Sequence, residues 1–250
     1  MLTGDAGDPA FLTQAFRGAD AVYTLIAPDP HTSDYGAVQE RHGEAIAAAI
    51  KESGVRHVVA LSSLGADSDI ASGVVAGLRA QEKRLEQLKG INLLLLRPAS
   101  FFENFESSLG LIKELGMCGD SVAADLAIPM VATRDLAEAA ANALQKRQWS
   151  GVVVRELLGP RDISYREATR LLGEKIGQPK LNYVQLPDDE MIKGLMNAGL
   201  SESFSSLYVE MTRAINAQHL SPRNGRTSGN TTPTRFEDFA EELAQSFRTM

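Results

Sequence analysis

The sequence predicts an α/β fold: a doubly wound parallel sheet, incomplete at its N-terminal end, over residues 1–160, and a small C-terminal α/β lobe over 161–250. Three observations predict it. Short β-rich runs alternate with longer helical patterns, the order that builds a parallel sheet covered by helices on both faces. The runs 56–62 and 91–96 are apolar through their centres, as strands buried on both faces are. The first α/β phrase, Leu2-Thr3-Gly4-Asp5 leading to a helix and the strand Ala21 to Ile26, is preceded by no glycine-rich turn.

The elements follow in order. Leu2 to Asp5 reads as a late strand. Asp8 is an N-cap with Pro9 at the first helical position, and that helix runs through Phe16 to a stop at Gly18. The strand Ala21 to Ile26 ends at Pro28-Asp29-Pro30. From Asp34 a helix extends to Glu52 with Val38, Ala45, Ile46, Ala49 and Ile50 on its apolar face, and Gly54 breaks it. After the strand Arg56 to Ser62, a helix over 77–88 turns Leu78, Leu85 and Leu88 toward the sheet. Ile91 to Leu96 is the most apolar strand; Phe101 to Asn104 opens another helix. Thr133 to Gln145 is an amphipathic helix and Gly151 to Leu157 a strand. Ser164 and Glu167 make a capping box. Residues 221–234 form a polar loop, and a helix from Phe236 to Phe247 closes the chain.

Composition narrows the function classes. With 44% hydrophobic residues, a chain of 250 can bury one substantial core. The net charge of −7, with no block of like charges, argues against a nucleic-acid surface. A single cysteine, Cys118, excludes an intrachain disulfide and a cysteine metal cluster, which makes a reducing cytoplasm the expected location. Asp5, Asp8, Arg17 and Asp20 argue against a secretory leader, and no apolar run approaches the roughly 20 residues of a membrane span. His31, His42, His57 and His219 lack metal-ligand spacing, so no metal is expected.

Several phrases come in a recognisable order: Gly4-Asp5, Asp8, Ala15-Phe16-Arg17-Gly18-Ala19-Asp20-Ala21-Val22, and His57 through Ala66. They continue with Glu82, Leu85-Glu86, Leu96-Arg97-Pro98, Phe102-Glu103-Asn104-Phe105, Thr133 to Ala137 and Thr232 to Phe239. In this order the chain resembles the NmrA-like branch of the atypical short-chain dehydrogenases. The resemblance implies a Rossmann-like fold, a nicotinamide cofactor NAD(P)(H) with NADPH favoured, and a substrate lobe. It implies an oxidoreductase acting on a small quinone-like or unsaturated acceptor, or else a non-catalytic redox sensor that binds a regulatory protein partner.

The same resemblance places Asp5 near the adenine, and Ala27, Pro28, Pro98 and Ala99 beside the nicotinamide half. It puts Phe101, Phe102 and Asn104 on the substrate side; Phe102 reads equally as core. Ser62 and Ser63 stand at the carboxyl end of a central strand, where open α/β sheets bind ligands. No catalytic residue is assigned. None of the five tyrosines has a lysine four residues on, and the position that carries a lysine in isoflavone-reductase-like relatives is Leu78.

Two further expectations concern the start of the chain. The glycine-rich turn that meets a dinucleotide's pyrophosphate with backbone N–H groups has no counterpart before Gly4, so the chain reads as truncated and its dinucleotide affinity as impaired. The strand from Ala21 then becomes a sheet edge, open to the first segment moving in beside it or to a homodimer. Arg223 and Arg226 are the cations of the polar loop that could meet an anion, although a solvated loop is the plainer reading.

Overall fold

The computed structural model describes residues 2–70 and 73–250. The first half runs α1 (Pro9–Phe16), β1 (Ala21–Thr24), α2 (Tyr35–Ser53), β2 (His57–Leu61), α3 (Val74–Glu86) and β3 (Asn92–Pro98). A short strand β4 (Ser100–Phe101), a 3-10 turn (Phe102–Ser107), α4 (Ser108–Leu115), β5 (Met117–Asp120), β6 (Ile128–Val131), α5 (Thr133–Lys146) and β7 (Val152–Leu157) follow. The chain ends with β8 (Asp162–Ile163), α6 (Tyr165–Lys175), β9 (Asn182–Gln185), α7 (Asp188–Asn197), α8 (Glu202–Asn216) and α9 (Phe236–Thr249).

The main sheet is parallel, in the order β1-β2-β3-β7. Its register sets Val58 beside Leu93 and Val59 beside Leu94. Alternation then sends Val58, Leu93 and Leu95 into one core with Ile46 and Ile50 of α2 and Leu85 of α3. Val59, Leu94 and Leu96 enter the opposite core against Leu136 and Ala140 of α5. Side chains of this size contribute about 1.5–3 kcal/mol each when fully buried. Both faces of β2 and β3 are therefore covered, and the sheet is doubly wound.

Helix ends follow local chemistry. Asp8 accepts from the Ala10 amide and has Pro9 next to it; Asp34 accepts from the Ala37 amide at 2.9 Å and starts α2. Gly54 takes the left-handed conformation, φ +75°, that stops α2. Ser164 accepts from the Glu167 amide, but the Glu167 carboxylate turns to Arg161 rather than completing a capping box.

The structure corrects two expectations at the N-terminal end. Residues 2–5 form no strand, so the late strand expected at Leu2 is not present. The first segment does not move in beside β1 either: α1 packs on α2, with Leu12 and Phe16 against the β1–β3 core. Among the described residues strand β1 has one partner, β2, and is an edge. The expected helix over 77–88 begins three residues earlier, after Gly73, which lets Val74 and Val75 reach the carboxyl end of the sheet.

Past β3 a second core forms. Phe102 and Phe105 of the 3-10 turn meet Phe236 and Phe239 of α9, with Tyr165 and Leu172 of α6. Ring centroids lie 5.2 Å apart for Phe102 and Phe236 and 5.1 Å for Phe105 and Phe236, within the favourable range for aromatic pairs. Two carboxylates fasten this core to the sheet. Glu103 accepts from the Thr133 amide and hydroxyl at the start of α5, and Asp135 accepts from those of Thr234 before α9.

Candidate functional site

The strands β1, β2 and β3 end on one side of the sheet, and a cavity of about 400 Å³ opens there. Its floor is Ile26, Ser62, Ser63, Pro98 and Ala99; its sides come from Tyr35 and Gln39 of α2 and from Val74, Val75 and Leu78 of α3. The C-terminal part of the chain closes it with Phe204, Tyr208, Met211 and Ile215 of α8, and with Leu220. The volume suits a small organic ligand, and the mostly apolar lining with a few placed polar groups has the usual character of such a site.

Beneath the floor is a buried ion pair. Arg97, 4% exposed, makes a two-pronged contact with Glu82, 5% exposed: Nε to Oε1 at 2.8 Å and Nη2 to Oε2 at 2.6 Å. Ser62 donates its hydroxyl proton to Glu82 Oε1 at 2.5 Å. Arg97 also reaches Asp67 at 3.3 Å, and Asp67 pairs with Arg223. Arg223 in turn donates its amide to Glu156 of β7. This chain of contacts ties the polar loop to the sheet and seats Leu220 over Gly65, where a Cβ would meet the Leu220 Cα at 3.2 Å.

Helix α8 is fixed from two sides. The Tyr35 amide donates to Ser203 Oγ at 3.0 Å, and the Tyr35 and Phe204 rings meet edge to face at 5.2 Å. Tyr208 donates to Asp120 Oδ2 at 2.6 Å. Burial raises the Asp120 carboxyl above the ordinary carboxylate range, against the pull of the Tyr208 hydrogen bond. Burial also holds the Tyr208 phenol far above its ordinary value, and the nearby Asp120 charge adds to this.

Seven of the residues singled out from the sequence line the cavity: Pro28, Ser62, Ser63, Pro98, Ala99, Phe101 and Asn104. Three do not. Ala27 is outside the lining. Phe102 is 2% exposed and belongs to the second core, the alternative its sequence reading left open. Asp5 sits before α1, where it accepts from the Gly7 amide and pairs with Arg41 at 2.7 Å. Those hydrogen bonds lower its carboxyl below the ordinary value. Neither loop arginine is free for an anion: Arg223 is held by Asp67, and Arg226 by the Gly159 carbonyl and Asp162. Cys118 is buried, which raises its thiol. Among the described residues no group of histidine, cysteine and carboxylate side chains could hold a metal ion.

The sequence reading missed Tyr35, Gln39 and the α8 wall. A signal for α8 was present, since Phe204, Tyr208, Met211 and Ile215 recur at helical spacing behind the Ser201 N-cap.

A doubly wound parallel sheet with a ligand-sized cavity at its carboxyl edge, capped by a C-terminal lobe, defines an α/β protein of the Rossmann kind. The chain belongs to the NmrA-like family, whose profile matches residues 1–241. It is 30% identical over 196 residues to the (4-alkanoyl-5-oxo-2,5-dihydrofuran-3-yl)methyl phosphate reductase of Streptomyces griseus, a match covering 78% of this chain and 65% of that protein. Festuclavine dehydrogenase of Aspergillus fumigatus is 26% identical over 252 residues, 96% of this chain and 81% of its own. Among solved structures, an NADPH-dependent quinone oxidoreductase from Escherichia coli, complexed with NADPH, superposes with a TM-score of 0.78 at 24% identity, covering 96% of this chain and 82% of that one. Triphenylmethane reductase of Citrobacter gives 0.76 at 22%, covering 97% and 82%. These structural likenesses concern the fold. Among the described residues no helix is long and apolar enough to cross a membrane.

Proposed function

We propose that the chain is an NAD(P)H-dependent reductase of a small quinone-like or otherwise unsaturated acceptor, with NADPH the favoured cofactor. The observation that carries this reading is the cavity at the carboxyl ends of β1, β2 and β3, at the position where folds of this kind bind ligands. The residues present fit the ring end of a nicotinamide cofactor: Pro28, Ser62, Pro98 and Ala99 form a flat, largely apolar floor. They do not fit its pyrophosphate, because among the described residues no Gly-x-Gly turn meets a helix N-terminus at this edge.

When bound, the nicotinamide supplies a hydride. The chain's own residues hold and orient. Ser62 is locked by Glu82, so its oxygen has a set direction at the floor. Phe101 and Asn104 together with the α8 rings line the space for an acceptor ring, and Leu220 lines it as well. Leu78 lines the cavity as well and offers no proton. The relatives support the reductase reading through the redox activities in their names.

The experiment is NADPH consumption with small unsaturated acceptors, quinones included, at millimolar cofactor. Acceptor-dependent oxidation that falls when Phe204 is replaced by alanine supports the reading. A cooperatively folded sample that consumes no NADPH with any acceptor refutes it and favours the non-catalytic partner-binding role.

A further inference from the structure

Reducing an unsaturated acceptor takes a proton as well as a hydride, and few groups at the cavity can release one. The Asn104 and Gln39 amides and the Ser63 backbone N–H donate hydrogen bonds, but they hold their protons too tightly to transfer them near neutral pH. The hydroxyl groups of the lining are mostly engaged. Ser62 donates to Glu82, Ser63 to the Leu64 carbonyl at 3.0 Å, and Tyr208 to Asp120 at 2.6 Å. Ser100 accepts from the Asn104 amide at 3.3 Å and is bonded to Tyr165; an aliphatic hydroxyl is also a far weaker acid than a phenol.

Tyr35 stands apart from these. It lines the cavity and is only 5% exposed. Among the described residues no side chain or carbonyl takes the proton of its hydroxyl. Nor is that hydroxyl sealed off, since the buried polar atoms that lack a partner lie on other residues. A phenol so enclosed and yet within reach of solvent opens through the cavity that it lines. Its place is fixed: Asp34 caps α2 just before it, its amide donates to Ser203 Oγ at 3.0 Å, and its ring meets Phe204 edge to face at 5.2 Å. Burial, helped by the Asp29 charge, raises the phenol above its ordinary value, so it keeps its proton at neutral pH. Four residues on stands Gln39, which is neutral and donates to the Val74 carbonyl at 3.2 Å, so no cation is there to lower it.

We propose that Tyr35 is the catalytic proton donor of this site: its hydroxyl binds the acceptor oxygen and passes it a proton as the conjugated carbon takes the hydride. The inference rests on the reductase reading above and gives that reaction its acid. As the acceptor carbon takes a hydride from the reduced nicotinamide, the electron pair of the acceptor's π system moves onto its oxygen. The Tyr35 O–H bond breaks while the new O–H bond forms, and the phenolate recovers a proton from water.

Isotope-edited infrared spectroscopy of the full chain with coumarin, labelled with carbon-13 at its carbonyl, tests the contact without cofactor or turnover. A phenol proton on the carbonyl oxygen weakens the C=O bond. Bound coumarin should therefore absorb at lower frequency in the parent than in Tyr35→Phe, which keeps the ring against Phe204. Asn104→Ala, which removes a competing amide, should leave the low-frequency band in place. The same frequency in the parent and in Tyr35→Phe overturns the proposal. So does the absence of any bound band at millimolar coumarin, or a shift that Asn104→Ala abolishes and Tyr35→Phe keeps. In turnover of a quinone with NADPH, Tyr35→Phe should lower kcat by about 10²-fold or more, change KM far less and alter the solvent deuterium isotope effect. A kcat within about threefold of the parent's overturns the proposal, because a positioned acid contributes far more than that. A chain that consumes no NADPH with any acceptor refutes the reductase reading, and the infrared band then decides the Tyr35 contact by itself.

Discussion

Replacing Arg97 by methionine removes the cation between Glu82 and Asp67 and leaves the stem volume roughly filled. Glu82 is then a buried carboxylate whose remaining partner is the Ser62 hydroxyl. Asp67 keeps Arg223. Breaking a buried pair from one side costs about 3–5 kcal/mol, because the charge left behind has lost its water and its partner. With a urea slope of about 3 kcal/mol per molar, the midpoint should fall by roughly 1–1.7 M. Far-ultraviolet circular dichroism over a urea series reads this directly. Two companion variants separate the contributions of the two charges. Glu82→Gln should cost less, since its amide oxygen still accepts from Ser62 while Arg97 keeps Asp67. The double variant Glu82→Leu with Arg97→Met should recover much of the loss, because both charges leave together. An Arg97→Met cost below about 1 kcal/mol, the size of an exposed pair, would mean that the pair contributes as a solvated one. A double variant less stable than Arg97→Met alone would contradict the pairing.

Two more predictions concern the C-terminal core. For Glu237 burial works to raise the carboxyl, but the hydrogen bond from Arg161 and contacts at the start of α9 outweigh it and hold the group down to about 2. A carboxyl depressed below its ordinary 4.5 contributes stability above that pH and loses it as pH falls toward 2. Glu237→Gln should therefore flatten the acid limb of the melting temperature against pH and leave the neutral limb's slope unchanged; an acid limb as steep as the parent's would contradict the assignment. Phe102→Ala should cost about 3–5 kcal/mol in denaturant titration, since the ring is enclosed by Phe236 and Phe239. A cost below about 1 kcal/mol would mean the ring is not core.

How far the sequence reached can be judged from particular residues. Strands β2 and β3 and helix α2 were legible because a strand covered on both faces needs an unbroken apolar run, and because Asp34 and Gly54 mark helix ends by their own chemistry. The start of α3 was not: Gly73 supplies no side-chain cap, so nothing in the local pattern marks Val74 as its first residue. The strand expected at Leu2 failed for a different reason, since a β-like run becomes a strand only when another strand pairs with it. The floor of the cavity was legible from strand ends, where backbone topology alone places Ser62 and Pro98. Its aromatic wall was not, because Phe204 and Tyr208 come from more than 100 residues downstream and reach Tyr35 only through tertiary packing. The Glu82 and Arg97 pair lay between these extremes. Glu82 interrupts the apolar stripe of Leu78 and Leu85, and Arg97 ends an apolar strand, so two opposite charges on buried faces were in view, but their meeting is a property of the packing.

The role proposed for the carboxyl edge of the sheet is to hold the ring end of a nicotinamide cofactor. Saturation-transfer NMR of NADPH with the folded chain tests it most directly, because it reports which protons of the cofactor touch protein. Strong transfer to the nicotinamide ring protons and weak transfer to the adenine protons is the expected result, with the nicotinamide signal reduced in Ser62→Trp, which fills the floor. Transfer confined to the adenine, or none at all to either ring of the cofactor, would contradict it.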